Sequence, residues 1–203
     1  MTKGMAKKQA LRWLDEATLN GSDASAELTA DYIDKFNYFL YNVLVYIASF
    51  FKLSRSISID NDTAYEQRGY FRKYGLPEDF MELEKVVLTD NKAYGEIFNY
   101  SFEGQYSILV PEEYFKDNAK LTVFYFGRPK KVDVAALDTT ELEVMPIAEQ
   151  LVPLRLAIEA TAGSDETSAI SAYLEGKFSN MLENLLGDKQ GAPNMLVERV
   201  YAQ

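Results

Sequence analysis

The sequence predicts an α+β protein: a bundle of N- and C-terminal helices, a β-rich insertion (a small sheet or sandwich), and an extended C-terminal tail. Three observations predict it. Apolar residues recur at helical spacing before residue 53 and again after residue 140. Between those stretches they alternate with the period of a strand. Beyond residue 187 the chain passes a Gly-Ala-Pro hinge and turns apolar again. The segments expected are therefore 1–53 (helices), 54–140 (β-rich), 141–187 (helices) and 188–203 (tail).

Residues 5–19 read as a short helix with Ala10, Leu11, Leu14 and Ala17 inward, stopped by Asn20-Gly21. A second, longer helix is predicted over about 30–52. Thr29 is placed to cap it, with Leu28 and Ile33 as a hydrophobic staple. Its stripe is Ile33, Phe36, Leu40, Val43, Leu44 and Ile47. Tyr32, Phe39, Tyr46 and Phe50 widen that face and predict burial on several sides. The apolar run FLYNVLVYIASFF has 13 residues, against about 20 needed to span a bilayer. It is expected to be a buried helix, with no membrane contact.

From Leu53 the period shortens. SRSISID, MELEKVVL (81–88), EIFNYSF (96–102), QYSILV (105–110) and LTVFYF (121–126) read as strands, divided by Gly104, Pro111 and Gly127-Arg128-Pro129. EIFNYSF places Phe98, Tyr100 and Phe102 on one face. LTVFYF is apolar on both faces, which predicts a central strand. Ten of the 33 residues from 94 to 126 are aromatic. They alternate as buried strand residues do, so the expectation is an aromatic core; the other reading is a stacking platform for sugars or bases.

The helical period returns over 146–162 and 165–186. In the second stretch Ile170, Tyr173, Leu174, Phe178, Met181, Leu182 and Leu185 share a face. Asp165 and Glu166 begin it, and Gly187 is expected to stop it. Two prolines punctuate the first stretch. The residue before a proline is pushed out of the helical region, so Met145 should be extended and Pro146 should start the helix. Pro153 lies seven residues further on and frees the carbonyl of Glu149. It predicts a kink, or a break into two short helices. The tail carries Met195, Leu196, Val197, Val200 and Tyr201, which either tuck into their own domain or dock onto another subunit.

Composition narrows the chemistry. The 203-residue chain has 31 Asp+Glu against 21 Lys+Arg, a formal charge of −10, and neither Cys nor His. That excludes disulfides, Cys/His zinc sites, thiol nucleophiles and His-based triads. An acidic surface suits something DNA slides past without sticking. The carboxylate pairs Glu82/Glu84, Glu112/Glu113 and Glu141/Glu143 read as solvated positions, which leaves a two-carboxylate hydrolase as the weakest hypothesis. Asp60-Asn61-Asp62 resembles the start of a calcium loop, but Ala64 and Tyr65 stand where a third acid and the turn glycine belong, so it is read as a turn. Gly127-Arg128-Pro129-Lys130-Lys131 is a small basic run on a loop. No catalytic residues, no cofactor and no metal site are assigned, and the chain is expected not to be an enzyme.

Two stretches carry a resemblance to a known family. One is ALRWLDE followed by DYIDKFNYFLYNVLVYIASFFKLSRSISI; the other is ELEVMPIAEQLVPLRLAIEA followed by AYLEGKFSNMLENLL. The arrangement resembles the head-to-tail adaptor (connector, neck or head-completion) proteins of tailed bacteriophages, which share an L-E-x-M-P start to a helix. Their Y-E-x-x-L-like pattern appears here as Phe178, Met181 and Leu182, without the tyrosine–acid pair. Pro153 also departs from the family's unbroken helix. The resemblance implies a structural virion protein in the neck, between capsid and tail, with assembly in the host cytoplasm. It implies a ring, usually of twelve copies, that extends the DNA channel without sequence-specific binding. Its partners would be the portal protein, reached by the tail residues, neighbouring copies, and downstream neck or tail proteins. The alternative from the residues alone is a carbohydrate- or surface-binding module built on the aromatic β-segment.

Overall fold

The computed structural model describes residues 1–17, 26–89, 94–162 and 167–191. It holds four α-helices and two small antiparallel sheets, a mixed α+β architecture. The chain divides into two compact units: residues 1–47 with 131–203, and residues 48–130. The boundaries lie at 47/48 and 130/131, not at the expected 53/54 and 140/141; the second shifts because residues 138–142 are bonded to the N-terminal segment.

That helix, α1, spans Lys3–Ala17. Its leading amides need acceptors from outside the helix, and the 138–140 segment supplies them. The Lys3 N–H donates to the Thr140 carbonyl and the Gly4 N–H to the Asp138 carbonyl, both at 2.8 Å. The Lys3 side chain is 1% exposed. Its ammonium donates to the carbonyls of Val134 at 2.7 Å and Ala136 at 2.9 Å. Lys7 pairs with Asp138 at 2.5 Å. Residues 131–140 contain no helix or strand, yet these bonds fix their path.

The second helix, α2, spans Ala26–Phe50. It therefore begins before Thr29, which lies inside it and cannot be its cap. Phe36, Leu40, Val43, Leu44 and Ile47 are buried as the stripe requires. Burial on several sides is not found. Tyr32 and Phe39 are half-buried, and Tyr38 is 71% exposed, so the tyrosines carry this helix's face out to the surface.

The break near Pro153 has a local cause. Met145 is extended (φ −60°, ψ 132°), and Pro146–Ala148 form a single 3-10 turn. Helix α3 proper runs only over Leu151–Thr161. Pro153 has no N–H for the Glu149 carbonyl, which accepts instead from Val152 at 3.3 Å. The proline is the third residue of α3, inside the first turn, where amides have no intrahelical partner in any case. It is less disruptive there than a position seven residues into one helix implies. Leu151, Val152, Leu154, Leu156, Ala157, Ile158 and Ala160 are all buried, as expected of a helix apolar on every side. Its two charged residues, Arg155 and Glu159, neutralise each other at 2.5 Å. The Arg155 guanidinium also lies over the ring of Tyr46 at 4.5 Å.

The last helix, α4, spans Ser168–Gly191. Leu174 and Phe178 are buried in it, and Phe178 meets Tyr46 with ring centroids 6.1 Å apart. Helix α4 runs through Gly187, so that glycine is not its stop; an unobstructed helical glycine costs about 1 kcal/mol and need not end a helix. Both α1 and α4 pack against α3. Asn20-Gly21, Asp165 and Glu166 lie outside the described residues.

The second unit contains strands β1 (Leu53–Ile59), β2 (Glu66–Arg68), β3 (Phe71–Gly75), β4 (Phe80–Thr89), β5 (Tyr94–Ile97), β6 (Ser101–Phe102), β7 (Ser107–Pro111) and β8 (Lys120–Gly127). One sheet has the order β1-β8-β4-β5 and the other β2-β3-β7-β6. Strand β8 is internal, as its two apolar faces require. Leu121, Val123 and Tyr125 point to the core shared by both sheets. That core also takes Ile59, Tyr74, Phe80, Val86, Ile108, Val110 and Phe115. On the opposite face Phe124 and Phe126 are half-buried, each beneath a lysine ammonium: Lys85 at 5.1 Å and Lys52 at 4.7 Å. EIFNYSF is not one strand. Residues 98–100 break it, and its two ends belong to different sheets.

Candidate functional site: two depressions and an aromatic surface

Among the described residues there is no cluster of three His, Cys, Asp or Glu placed to hold a metal. Asp60-Asn61-Asp62 forms a turn that consumes its own ligands. The Asp60 carboxylate accepts from the amides of Asp62 and Thr63 and from the Thr63 hydroxyl, at 2.8–3.1 Å. The Thr63 hydroxyl bond, first among these, holds its pKa below the ordinary value. Asn61 donates to the Phe115 carbonyl at 3.0 Å. Glu82 pairs with Lys52, Glu84 accepts from Ser54, and Glu112 pairs with Arg72 at 3.4 Å. These acids are engaged in surface pairs of small energetic weight.

What the β unit does expose is aromatic surface. Tyr70 is 86% exposed and Phe98 77%, with Phe71, Phe102 and Tyr106 partly so. Of the aromatics in residues 94–126 expected to form a core, Phe98, Phe102 and Tyr106 are therefore exceptions; Tyr70 and Phe71 lie outside that stretch. The alternation argument holds on β8, but Phe98 leaves the ladder where β5 ends, and Tyr70 sits in a turn.

That turn builds the first depression. Arg68 pairs with Phe71 across β2 and β3, leaving Gly69-Tyr70 as a two-residue loop. Gly69 has φ 61°, the left-handed value that a tight hairpin needs at this position. The Tyr70 carbonyl accepts from the Glu112 N–H at 2.9 Å, and Phe71 pairs with Pro111 between β3 and β7. Tyr70, Phe71, Asn99, Pro111, Glu112 and Glu113 thereby line an open cavity of about 540 Å³. Nearby, Arg72 lies over the rings of Tyr65 and Phe115, at 4.5 and 4.7 Å, and stiffens the strand behind it.

The second depression lies in the helical unit. Gln9, Arg12 and Trp13 occupy one face of α1 at helical spacing. With Gln150, Pro153 and Met181 they line an open cavity of about 250 Å³. The Lys177 ammonium stands 4.8 Å from the Trp13 ring and 5.0 Å from that of Tyr173. No protein-family model matches the chain, and no curated protein is similar to it in sequence.

Of the residues singled out from sequence, Pro153 lines the second depression, and Pro146 starts the 3-10 turn before it. Met195, Leu196, Val197, Val200 and Tyr201 lie outside the described residues. Sequence reasoning missed Trp13, Arg12, Tyr70 and Phe71. The chain's single tryptophan, next to an arginine on a short helix, was the available signal for the first pair. Gly69 before two aromatics was the signal for the second. No helix among the described residues is long and apolar enough to cross a membrane.

Proposed function

We propose that the chain is a structural subunit, an oligomeric ring adaptor that joins a phage portal to the tail and extends the DNA channel. The exposed aromatic surface of the β unit carries this reading. Scattered apolar residues are ordinary on a monomer. Tyr70, Phe71, Phe98, Phe102 and Tyr106 concentrated in one small unit are the composition of a protein contact. The acidic charge, the surface ion pairs of Glu82 and Glu112 and the resemblance in element order support the same reading. On it, the protein is not an enzyme, the N- and C-terminal helices act as a bundle, and the tail residues reach the portal. Electron microscopy of the native particle tests it. A ring between capsid and tail is expected; a monomer with a cleft would overturn it. Cutting the chain after Gln190 should weaken portal attachment.

One observation favours a second reading, a carbohydrate- or surface-binding module. Tyr70 and Phe71 stand beside the polar groups of Asn99, Glu112 and Glu113 in an open cavity, a combination that suits a sugar face with hydroxyls at its edge. A glycan array gives signal on this reading and none on the first.

A further inference from the structure

The two depressions are opposites in charge. The unit formed by residues 1–47 and 131–203 carries 10 Lys+Arg against 18 Asp+Glu. A concave spot on it lined by Arg12, with Lys177 beside Trp13, runs against the character of its surroundings. The β unit's depression carries the opposite sign at exposed Glu113, which lines it with Tyr70 and with Glu112, the partner of Arg72. Tryptophan, tyrosine, arginine and methionine are the residues most enriched where protein surfaces meet, and these depressions are lined by all four. The smaller cavity, about 250 Å³, is of a size for one aromatic side chain, and Tyr70 is the most exposed aromatic side chain among the described residues.

We propose that these surfaces recognise each other between copies. The depression around Trp13 of one copy receives the Tyr70–Glu113 rim of the next, with Arg12 opposite Glu113. This rests on the ring-subunit reading and names the contact that would build the ring. The two faces differ, so the contact is heterologous: it leaves one free face at each end and propagates until it closes. Opposite charges fix the register and steer the encounter, while the aromatic insertion supplies the desolvated centre. Pro153 has a use on this account. With α3 starting at Leu151, Gln150 and the proline's own ring line the receiving cavity.

The chain has no cysteine, which makes disulfide trapping clean. Arg12→Cys and Glu113→Cys are made in separate full-length chains, both at exposed positions. They are mixed at millimolar concentration under mild oxidation. The 12–113 heterodimer should exceed both homodimers, and should exceed links from either cysteine to an exposed Glu78→Cys control, by about tenfold. Charge reversal gives a second readout. Arg12→Glu and Glu113→Arg should each weaken self-association of the full chain about tenfold, and the two reversed chains mixed should restore it. Linkage at the level of the Glu78→Cys control, or no rescue, overturns the pairing. A ring in the native particle without the 12–113 link would defeat this contact and leave the ring reading standing. The link without such a ring would do the reverse.

Discussion

Gly4 of α1 lies so close to Asp138 that a β-carbon there would stand 2.9 Å from the aspartate Cβ and 3.1 Å from its carbonyl oxygen. Helix propensity alone says that Gly4→Ala stabilises by about 1 kcal/mol. The contact says otherwise, because the obstruction includes backbone that is itself held by the Gly4 N–H. The expected outcome is a net loss of about 1–2 kcal/mol in urea denaturation. A gain would show that the 138–140 segment yields easily.

Lys3 gives a pH dependence. Burial holds its amine below the ordinary 10.5; Lys7 adds to this, and Asp138 and Asp133 oppose it. With the folded value below the unfolded one, the folded chain releases this proton first as pH climbs. The unfolded chain then binds more protons, so stability due to Lys3 rises with pH through the window just beneath 10.5. Tyr74 and Tyr125, whose hydroxyls burial pushes up, act in the opposite direction. Comparison with Lys3→Met cancels them. The stability of the wild type relative to that variant should grow with pH as the lysine's unfolded value is approached from below. A flat difference would mean an unshifted amine.

Replacing Pro153 should not bring the gain expected on removing a proline from a helix interior. Pro153→Ala removes buried ring methylenes and costs about 1–2 kcal/mol. Ala157→Pro, placed where the amide is needed, should cost about 3 kcal/mol or more. A gain in thermal stability from Pro153→Ala would show that position 153 is not a first-turn position.

Tyr70→Ser and Phe98→Ser should leave the stability of the isolated chain within about 0.5 kcal/mol, since neither ring is buried. The same variants should assemble poorly into particles. Strong destabilisation would return these rings to the core.

The fold was legible where one physical rule acts alone. The stripe from Phe36 to Ile47, the internal strand around Val123 and the extended Met145 all follow from period or sterics. Thr29 failed as a cap because α2 begins before it, and Gly187 failed as a stop because helical glycine is tolerated. EIFNYSF failed because alternation does not say to which sheet each residue belongs. The depressions were illegible for a related reason. Trp13 and Pro153 are far apart in sequence, as are Tyr70 and Glu113, and only the tertiary pairing of helices or strands brings them together.

The helical unit is assembled from both ends of the chain, while the β unit is one continuous stretch. During synthesis the β unit can close as soon as residue 130 has emerged. Until α3 follows, the apolar face of α1 lacks the helix it packs against. At about 5–20 residues per second that interval lasts several seconds. For so long the nascent chain shows Ala6, Ala10 and Leu14 to whatever is nearby, and its need for a chaperone should be greatest then. A pause or truncation between residues 130 and 151 should be where aggregation begins.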